Sequence, residues 1–297
     1  MTRIAAGCFD AAGADADEDE KEHAMQGQMM VIGGLLAIGL ITALMPAALV
    51  EAADPMDSTN PTATSPSPAA AETTHTYRNP LGVDIADPDV IFHEGVYYLY
   101  GTSAPDGFKV WSSPDLVHWQ PRGYAFQRTD TSWGRDLFWA PCIIRHRGAF
   151  YLFYSSRGPV GGDQQSLRIC VARAEAPTGP FVDVAAPLLD IGKAVIDPHT
   201  FIDSDGQAYL YYALDISENG QSQIWAIQLT PDLTAPIGKP VLCLKPSQAW
   251  EGKEWNEAPF VFKHGRTYVM MYSARGFFDP RYAVGYATAP SPLGPWT

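Results

Sequence analysis

The stretch DPDVIFHEGVYYLYGTS at residues 87–103 decides how this sequence folds, because its plan recurs. It returns as APCIIRHRGAFYLFYSS at 140–156, DPHTFIDSDGQAYLYYA at 197–213 and APFVFKHGRTYVMMYSA at 258–274. Each copy opens on an X-Pro pair, runs through a short apolar strand, turns at a glycine (Gly95, Gly148, Gly206, Gly265) and comes back through a tyrosine-rich strand. Apolar and aromatic runs on either side of a polar, glycine-bearing turn are the pattern of a β-hairpin. The anchoring prolines are Pro88, Pro141, Pro198 and Pro259, nearly evenly spaced along the chain.

A second echo follows each hairpin: VWSSPDLVHW from Val110, CVARAEAPTGPF from Cys170, WAIQLTPDL from Trp225 and VGYATAPSPLGPW from Val284. The repeating unit therefore holds about four strands. A four-stranded unit recurring at the spacing of those prolines predicts a β-propeller blade rather than a sandwich, whose strands show no such long period. The fold class expected is all-β, with about four blades in this chain. The fourth copy reaches Thr297 just after its Gly-Pro-Trp turn, so the sequence predicts an incomplete last blade.

Composition agrees. The chain has 297 residues, 46% of them apolar and 12% aromatic, with 26 Gly and 25 Pro to supply turns. Acidic residues outnumber basic ones by 33 to 20, a formal charge of −13, which argues against a nucleic-acid binder and for an uncharged or polar partner. Cys8, Cys142, Cys170 and Cys243 lack the close spacing of a zinc site, and three of them fall in apolar strand-like runs, so buried free thiols are expected.

The chain before Thr76 reads differently. Residues 1–26 carry seven carboxylates against Arg3 and Lys21 and have no periodic apolar face, the composition of a solvated, disordered segment. Met29 to Val50 is an unbroken uncharged run, long enough to span a bilayer, within a 27–53 segment that reads as a signal peptide or a membrane anchor. The acidic segment before it is unlike a signal peptide's basic start, which a true start at Met25, Met29 or Met30 would repair. Either reading places the remainder outside the cytoplasm, secreted or anchored. PMDSTNPTATSPSPAAAETT, within residues 54–75, reads as a flexible linker, so the propeller domain is expected over 76–297.

The first strand of a propeller blade lies nearest the axis, so the X-Pro residues of different blades converge on one end of the central channel. Their occupants are Asp87, Ala140, Asp197 and Ala258, and Glu257 immediately precedes the last. Three carboxyls from three blades are thereby aimed at one funnel. Crowded like charges raise at least one pKa, which is how a site obtains an acid and a base at one pH. Asp89, Asp203 and Asp205 suit turn or surface roles, while Glu251 and Glu254 remain open as alternatives to Glu257.

Over residues 78–297 the sequence resembles glycoside hydrolase family 43. The resemblance rests on RNPLGVDIADPDV with its YYLYGTS hairpin, FWAPCIIRHRGAFYLFYSS, AVIDPHTFIDSDGQAYLYY and NEAPFVFKHGRTYVMMYSA, four motifs in order. It implies a five-bladed propeller and an inverting glycosidase acting on arabinofuranosyl or xylosyl linkages of plant cell-wall carbohydrate. It also implies Asp87 as general base, Glu257 as general acid and Asp197 as the carboxylate that tunes and orients the acid. Sugar rings stack on aromatics, so Trp139 is the best candidate wall, followed by Trp250, Trp255 and Phe138. His199 and Arg281 are further candidate substrate contacts. No cofactor is required on this reading, and a structural calcium ion is implied by the resemblance alone. The fifth blade's arginine and histidine, which the family places near the sugar and a central ion, are missing from this chain. A carbohydrate-binding propeller without turnover and a retaining, fructosyl-active propeller are the competing readings.

Overall fold

A computed structural model describes residues 77–297. The expectations placed on residues 1–26, 27–53 and 54–75 lie outside the described residues, as does Cys8. The described part is four antiparallel sheets, each a continuous meander. Blade 1 comprises β1 (Ala86–His93), β2 (Val96–Thr102), β3 (Gly107–Ser113) and β4 (Gln120–Gln127). Blade 2 comprises β5 (Asp136–His146), β6 (Ala149–Gly161), β7 (Gln164–Ala174) and β8 (Val182–Leu189). Blade 3 is β9 (Val195–Ile202), β10 (Ala208–Leu214), β11 (Ile224–Leu229) and β12 (Pro236–Leu244). Blade 4 has three strands, β13 (Asn256–His264), β14 (Thr267–Ala274) and β15 (Ala283–Ala289). Among the described residues the helices are single turns, Ile216–Asn219 and Ala249–Glu251. The four copies seen in the sequence are thus four propeller blades.

The blades pack face to face in chain order. β1 lies against β5, β5 against β9 and β9 against β13, and the second strand of each of blades 1, 2 and 3 also meets the next blade's first strand. Three apolar clusters fill the three interfaces, with Tyr100, Phe108, Leu152 and Cys170 between blades 1 and 2, Phe153, Leu210 and Ile227 between blades 2 and 3, and Tyr211, Met270 and Ala287 between blades 3 and 4. The tyrosine-rich strands suit this layout, because a buried ring can fill the interface while its hydroxyl reaches a loop. Tyr211 donates to the carbonyl of Pro292 at 2.7 Å and Tyr154 to Asp183 Oδ1 at 2.6 Å. Cys142, Cys170 and Cys243 are buried free thiols, as expected.

Each inner strand is interrupted at the same place. The regular pairing breaks between Ala86 and Asp89, between Trp139 and Cys142, between Ile196 and His199 and between Glu257 and Phe260. The interruption is a β-bulge carrying the X-Pro pair. Proline, which has no N–H to give a ladder, is tolerated at a bulge. The residue before it adopts a left-handed backbone in every blade, with φ of 48° at Asp87, 46° at Ala140, 56° at Asp197 and 51° at Ala258. Such a conformation is costly for non-glycine residues and persists only where the surroundings over-determine it.

Candidate active site

The bulges lie on four neighbouring inner strands, and inter-blade hydrogen bonds hold those of blades 2, 3 and 4 in place. Thr102 Oγ1 accepts from the Ala140 N–H at 2.9 Å and Ser155 Oγ from the Asp197 N–H at 3.0 Å. Both hydroxyls sit at the residue paired with the last regular position before the bulge, opposite Ala86 and Trp139. At the junction of blades 3 and 4, that hairpin position is Ala213, which has no hydroxyl. There Asp197 Oδ2 itself accepts from the Ala258 N–H at 3.0 Å. One blade's bulge is therefore latched by the blade before it.

A second row of latches lies two residues further on. Asp89 Oδ2 accepts from the Ile143 N–H at 2.7 Å, Cys142 Sγ from the Thr200 N–H at 3.4 Å, and His199 Nε2 donates to the Val261 carbonyl at 3.0 Å. This corrects two readings of the sequence. Asp89 is an inter-blade tie rather than a turn residue. His199, with its ring between Tyr211 and Phe260, spends Nε2 on blade 4 instead of a ligand hydroxyl, and burial pushes its pKa down to about 4.

Asp87, Asp197 and Glu257 come together. Thr102 Oγ1 donates to Asp87 Oδ2 at 2.6 Å. Burial raises the Asp87 carboxyl above its ordinary value, opposed by the Thr102 hydroxyl and the Ala140 N–H. Burial, then the charge of Asp87, pushes Asp197 up to about 7. Glu257 is 8% exposed and its pKa is raised well above the ordinary value, by burial first and next by the charge of Asp197, with Asp87 adding to it. Asp197 thus feels the charge of Asp87, and Glu257 feels both, as groups sharing one site do. Asp197 and Glu257 therefore titrate as an interacting pair, both above the ordinary carboxylate range.

Glu257 is gripped by two donors. The indole Nε1–H of Trp255 donates to its Oε2, and the Tyr282 hydroxyl donates to its Oε1 at 3.2 Å. Tyr282, at the entrance to β15, was not singled out from the sequence. It belongs to no repeat motif and its neighbour Arg281 drew attention instead. Arg281 is 70% exposed and bound through two nitrogens to Asp279, so it braces the loop rather than reaching the carboxylates. Thr102 and Ser155 were also missed, although both are hydroxyls at matching places in two repeats.

The remaining candidates divide. Trp139 is half-buried beside the Ala140 bulge, packed on a small cluster that includes Ala194 and Ile196. Phe138 is 1% exposed and buried among Phe108, Phe126 and Tyr154, which makes it core and not a wall for a sugar. Trp250 packs against Tyr272 and closes over Gly285, where a Cβ would come within 2.4 Å of its ring. Glu251 is buried as a cap, and donors from Tyr272, Ser247, Gln248 and Asn256 outweigh burial to lower its pKa. Glu254 is exposed. A pocket of about 200 Å³ lined by Lys253, Trp255, Arg275, Phe278 and Asp279 abuts the site through Trp255 alone, and none of the three carboxylates lines it.

The calcium ion that the resemblance implies finds no side-chain cage among the described residues. No group of three or more His, Cys, Asp or Glu side chains among them is arranged to hold a metal, and the latches already occupy Asp89 and His199.

The family model for glycosyl hydrolases family 43 matches residues 77–297. A solved structure of a thermostable family-43 glycoside hydrolase shares 47% sequence identity, with a TM-score of 0.70 over 74% of each chain. Among curated proteins, the beta-D-galactofuranosidase of Aspergillus niger is 28% identical over 231 residues, 71% of this chain and 63% of that protein. An extracellular exo-alpha-(1->5)-L-arabinofuranosidase of Cellvibrio japonicus is 28% identical over 214 residues, 64% of this chain and 59% of that protein. The chain thus spans about three fifths of the length of these curated relatives. With four blades, three clustered carboxylates and a family match across all the described residues, the chain belongs to glycosyl hydrolases family 43.

Proposed function

We propose that the protein is an inverting glycoside hydrolase that removes or cuts arabinofuranosyl or xylosyl residues of plant cell-wall carbohydrate. The observation that carries this reading is the trio of carboxyls brought together at the bulges of three neighbouring blades, each raised above its ordinary pKa. Hydrolysis of a glycosidic bond needs an acid to protonate the leaving oxygen and a base to activate water on the opposite face of the ring. Glu257 is the acid. Its O–H bond breaks as a new O–H bond forms on the glycosidic oxygen, which takes the electron pair of the breaking bond to the anomeric carbon. Asp87 is the base and takes a proton from the attacking water. Asp197 holds Glu257 protonated by repulsion, and its Oδ2 tethers the Ala258 N–H beside the acid. Trp139 supplies an apolar wall for the sugar. No step is routed through a metal ion.

The names of two relatives, both furanosidases, support a furanoside as the first substrate to try. Export rests on the apolar run at Met29–Val50 and on one relative being described as extracellular. Among the described residues no helix is long and apolar enough to cross a membrane.

The test is hydrolysis by the full chain of aryl arabinofuranosides and xylosides, with the product anomer followed by NMR. Inversion supports the reading, and retention overturns it. Glu257→Gln should lose on the order of 100-fold or more in kcat/KM on a poor leaving group and far less on an activated aryl glycoside, whereas Asp87→Asn should lose comparably on both. Equal sensitivity of the two variants to leaving-group quality would remove the acid and base assignments.

A further inference from the structure

We propose that Trp255 sets which oxygen of Glu257 delivers the proton, reserving Oε1 for that role, with Tyr282 holding the proton until substrate arrives. The inference rests on Glu257 being the acid. Its basis is the asymmetry of the two partners. An indole nitrogen is a donor only, whereas a phenol hydroxyl both donates and accepts. The Trp255 Nε1–H points at Oε2 whatever the protonation state of the carboxyl. The carbonyl oxygen of a carboxylic acid is its better acceptor, so the neutral acid places its double-bonded oxygen at Oε2 and its hydrogen on Oε1. Tyr282 lies 3.2 Å from Oε1 and donates to it when Glu257 is ionised. When Glu257 is neutral the phenol turns over and accepts. Tyr282 itself stays neutral, since burial and then the nearby charge of Glu257 hold its pKa above the ordinary value.

The loop between β14 and β15 is built to hold this arrangement. Phe277 and Phe278 meet the Trp255 ring edge-on, with centroids 6.4 and 5.8 Å away. Gly276 allows that approach, because a Cβ there would come within 2.8 Å of Phe278 and 3.0 Å of Trp255. Arg275 donates to the carbonyls of Trp250 and Ala249, and its guanidinium lies 3.5 Å from Asp279. Asp279 in turn pairs with Arg281, next to Tyr282. In the transfer step the Oε1–H bond breaks, the leaving oxygen displaces Tyr282 as the partner of that hydrogen and gains it, and Glu257 is left ionised. Both its oxygens then accept, Oε2 from Trp255 and Oε1 from Tyr282.

Trp255 and Tyr282 are positioning residues, and kcat/KM against pH separates this role from mere packing. In the full chain, Trp255→Phe keeps a ring against Phe277 and Phe278 but has no donor. It should lose about tenfold more on a poor leaving group than on an activated aryl glycoside, and its basic limb should move to higher pH because the ionised acid has lost a donor. Tyr282→Phe should move the basic limb the same way while leaving the leaving-group dependence of the wild type intact. A Trp255→Phe enzyme with an unshifted basic limb and equal losses on both substrates would overturn the inference. So would strong leaving-group dependence in Tyr282→Phe, which would put the proton on Oε2. If Trp255→Phe does not fold, the Tyr282→Phe result decides alone. Glu257→Gln distinguishes the two levels. If it shows no leaving-group dependence, the acid assignment itself has failed, whereas if it does and Trp255→Phe does not, only the present inference is lost.

Discussion

At the scale of single residues, Asp197 shows how one carboxyl does two jobs. Its backbone N–H is tied to Ser155, and its Oδ2 accepts from Ala258, so it fixes the bulge beside Glu257 while its charge acts on Glu257. Asp197→Asn keeps a carbonyl oxygen for Ala258 and removes only the charge. Repulsion that holds the Glu257 proton is then lost, so the basic limb of kcat/KM should fall by on the order of one pH unit. A pH titration of kcat/KM for this variant reads the shift directly, and an unmoved or raised limb would show that Asp197 does not tune the acid. Asp87 and Asp197 were legible in the sequence because they occupy the same slot in two repeats. Trp255 was legible as an aromatic close to Glu257 but not as a donor, because the direction of its Nε1–H depends on how Phe277 and Phe278 confine the ring.

The bulge is the unit that matters at the scale of the element. It turns an inner strand so that the residue before proline leaves the ladder, and left-handed backbone at that residue accompanies the turn. Ala140 has this backbone but no charge, so it isolates the cost of the conformation. Ala140→Gly should change unfolding free energy by less than about 1 kcal/mol, since relief of the left-handed backbone offsets the greater freedom of glycine when unfolded. Ala140→Val should cost more than about 1 kcal/mol, because a β-branched residue tolerates positive φ worst. Urea unfolding of the two variants compares them, and equal effects would remove strain as the explanation. The second latch gives another measure. Asp89→Ala strands the Ile143 N–H and should cost about 1–3 kcal/mol, whereas Asp89→Asn keeps an acceptor and should cost less. If the two substitutions proved equally costly, the tie to Ile143 would not be what Asp89 contributes.

Across the whole molecule, the funnel makes stability depend on pH in a way that opposes the buried histidine. Asp87, Asp197 and Glu257 have raised pKa values, so the folded protein holds more protons than the unfolded chain once pH passes the ordinary carboxylate range near 4. Their contribution therefore becomes less favourable as pH rises, for Asp197 through about 7. His199 works the other way. Its pKa is pushed down to about 4, so its contribution is complete above the ordinary histidine range near 6.5 and is lost as pH falls through its folded value. The net slope of the wild type mixes the two, but a comparison separates them. Asp197→Asn should gain stability relative to the wild type on going from about pH 4.5 to about pH 7.5, read as the difference in urea midpoints at the two values. A difference that stays constant or shrinks would contradict the raised pKa of Asp197.

The sequence alone determined the repeating hairpin, the four blades and the X-Pro slots, because these follow from local pattern: apolar strands, glycine turns, tyrosine-rich returns and a period too long for a sandwich. It also marked Asp87, Asp197 and Glu257, since equivalence between repeats is visible without any contact. Only the tertiary structure decided which neighbours serve the site and which serve the core. Phe138 and Trp139 are adjacent in sequence, yet one is sealed among Phe108, Phe126 and Tyr154 and the other is half-buried beside a bulge, because successive strand residues face opposite sides. His199 and Asp89 became inter-blade ties, and Tyr282 rather than Arg281 met Glu257, for a second reason. Their partners lie far along the chain, Ile143 for Asp89, Val261 for His199 and Glu257 for Tyr282, and no local pattern encodes separations that only folding of the blades and their loops closes.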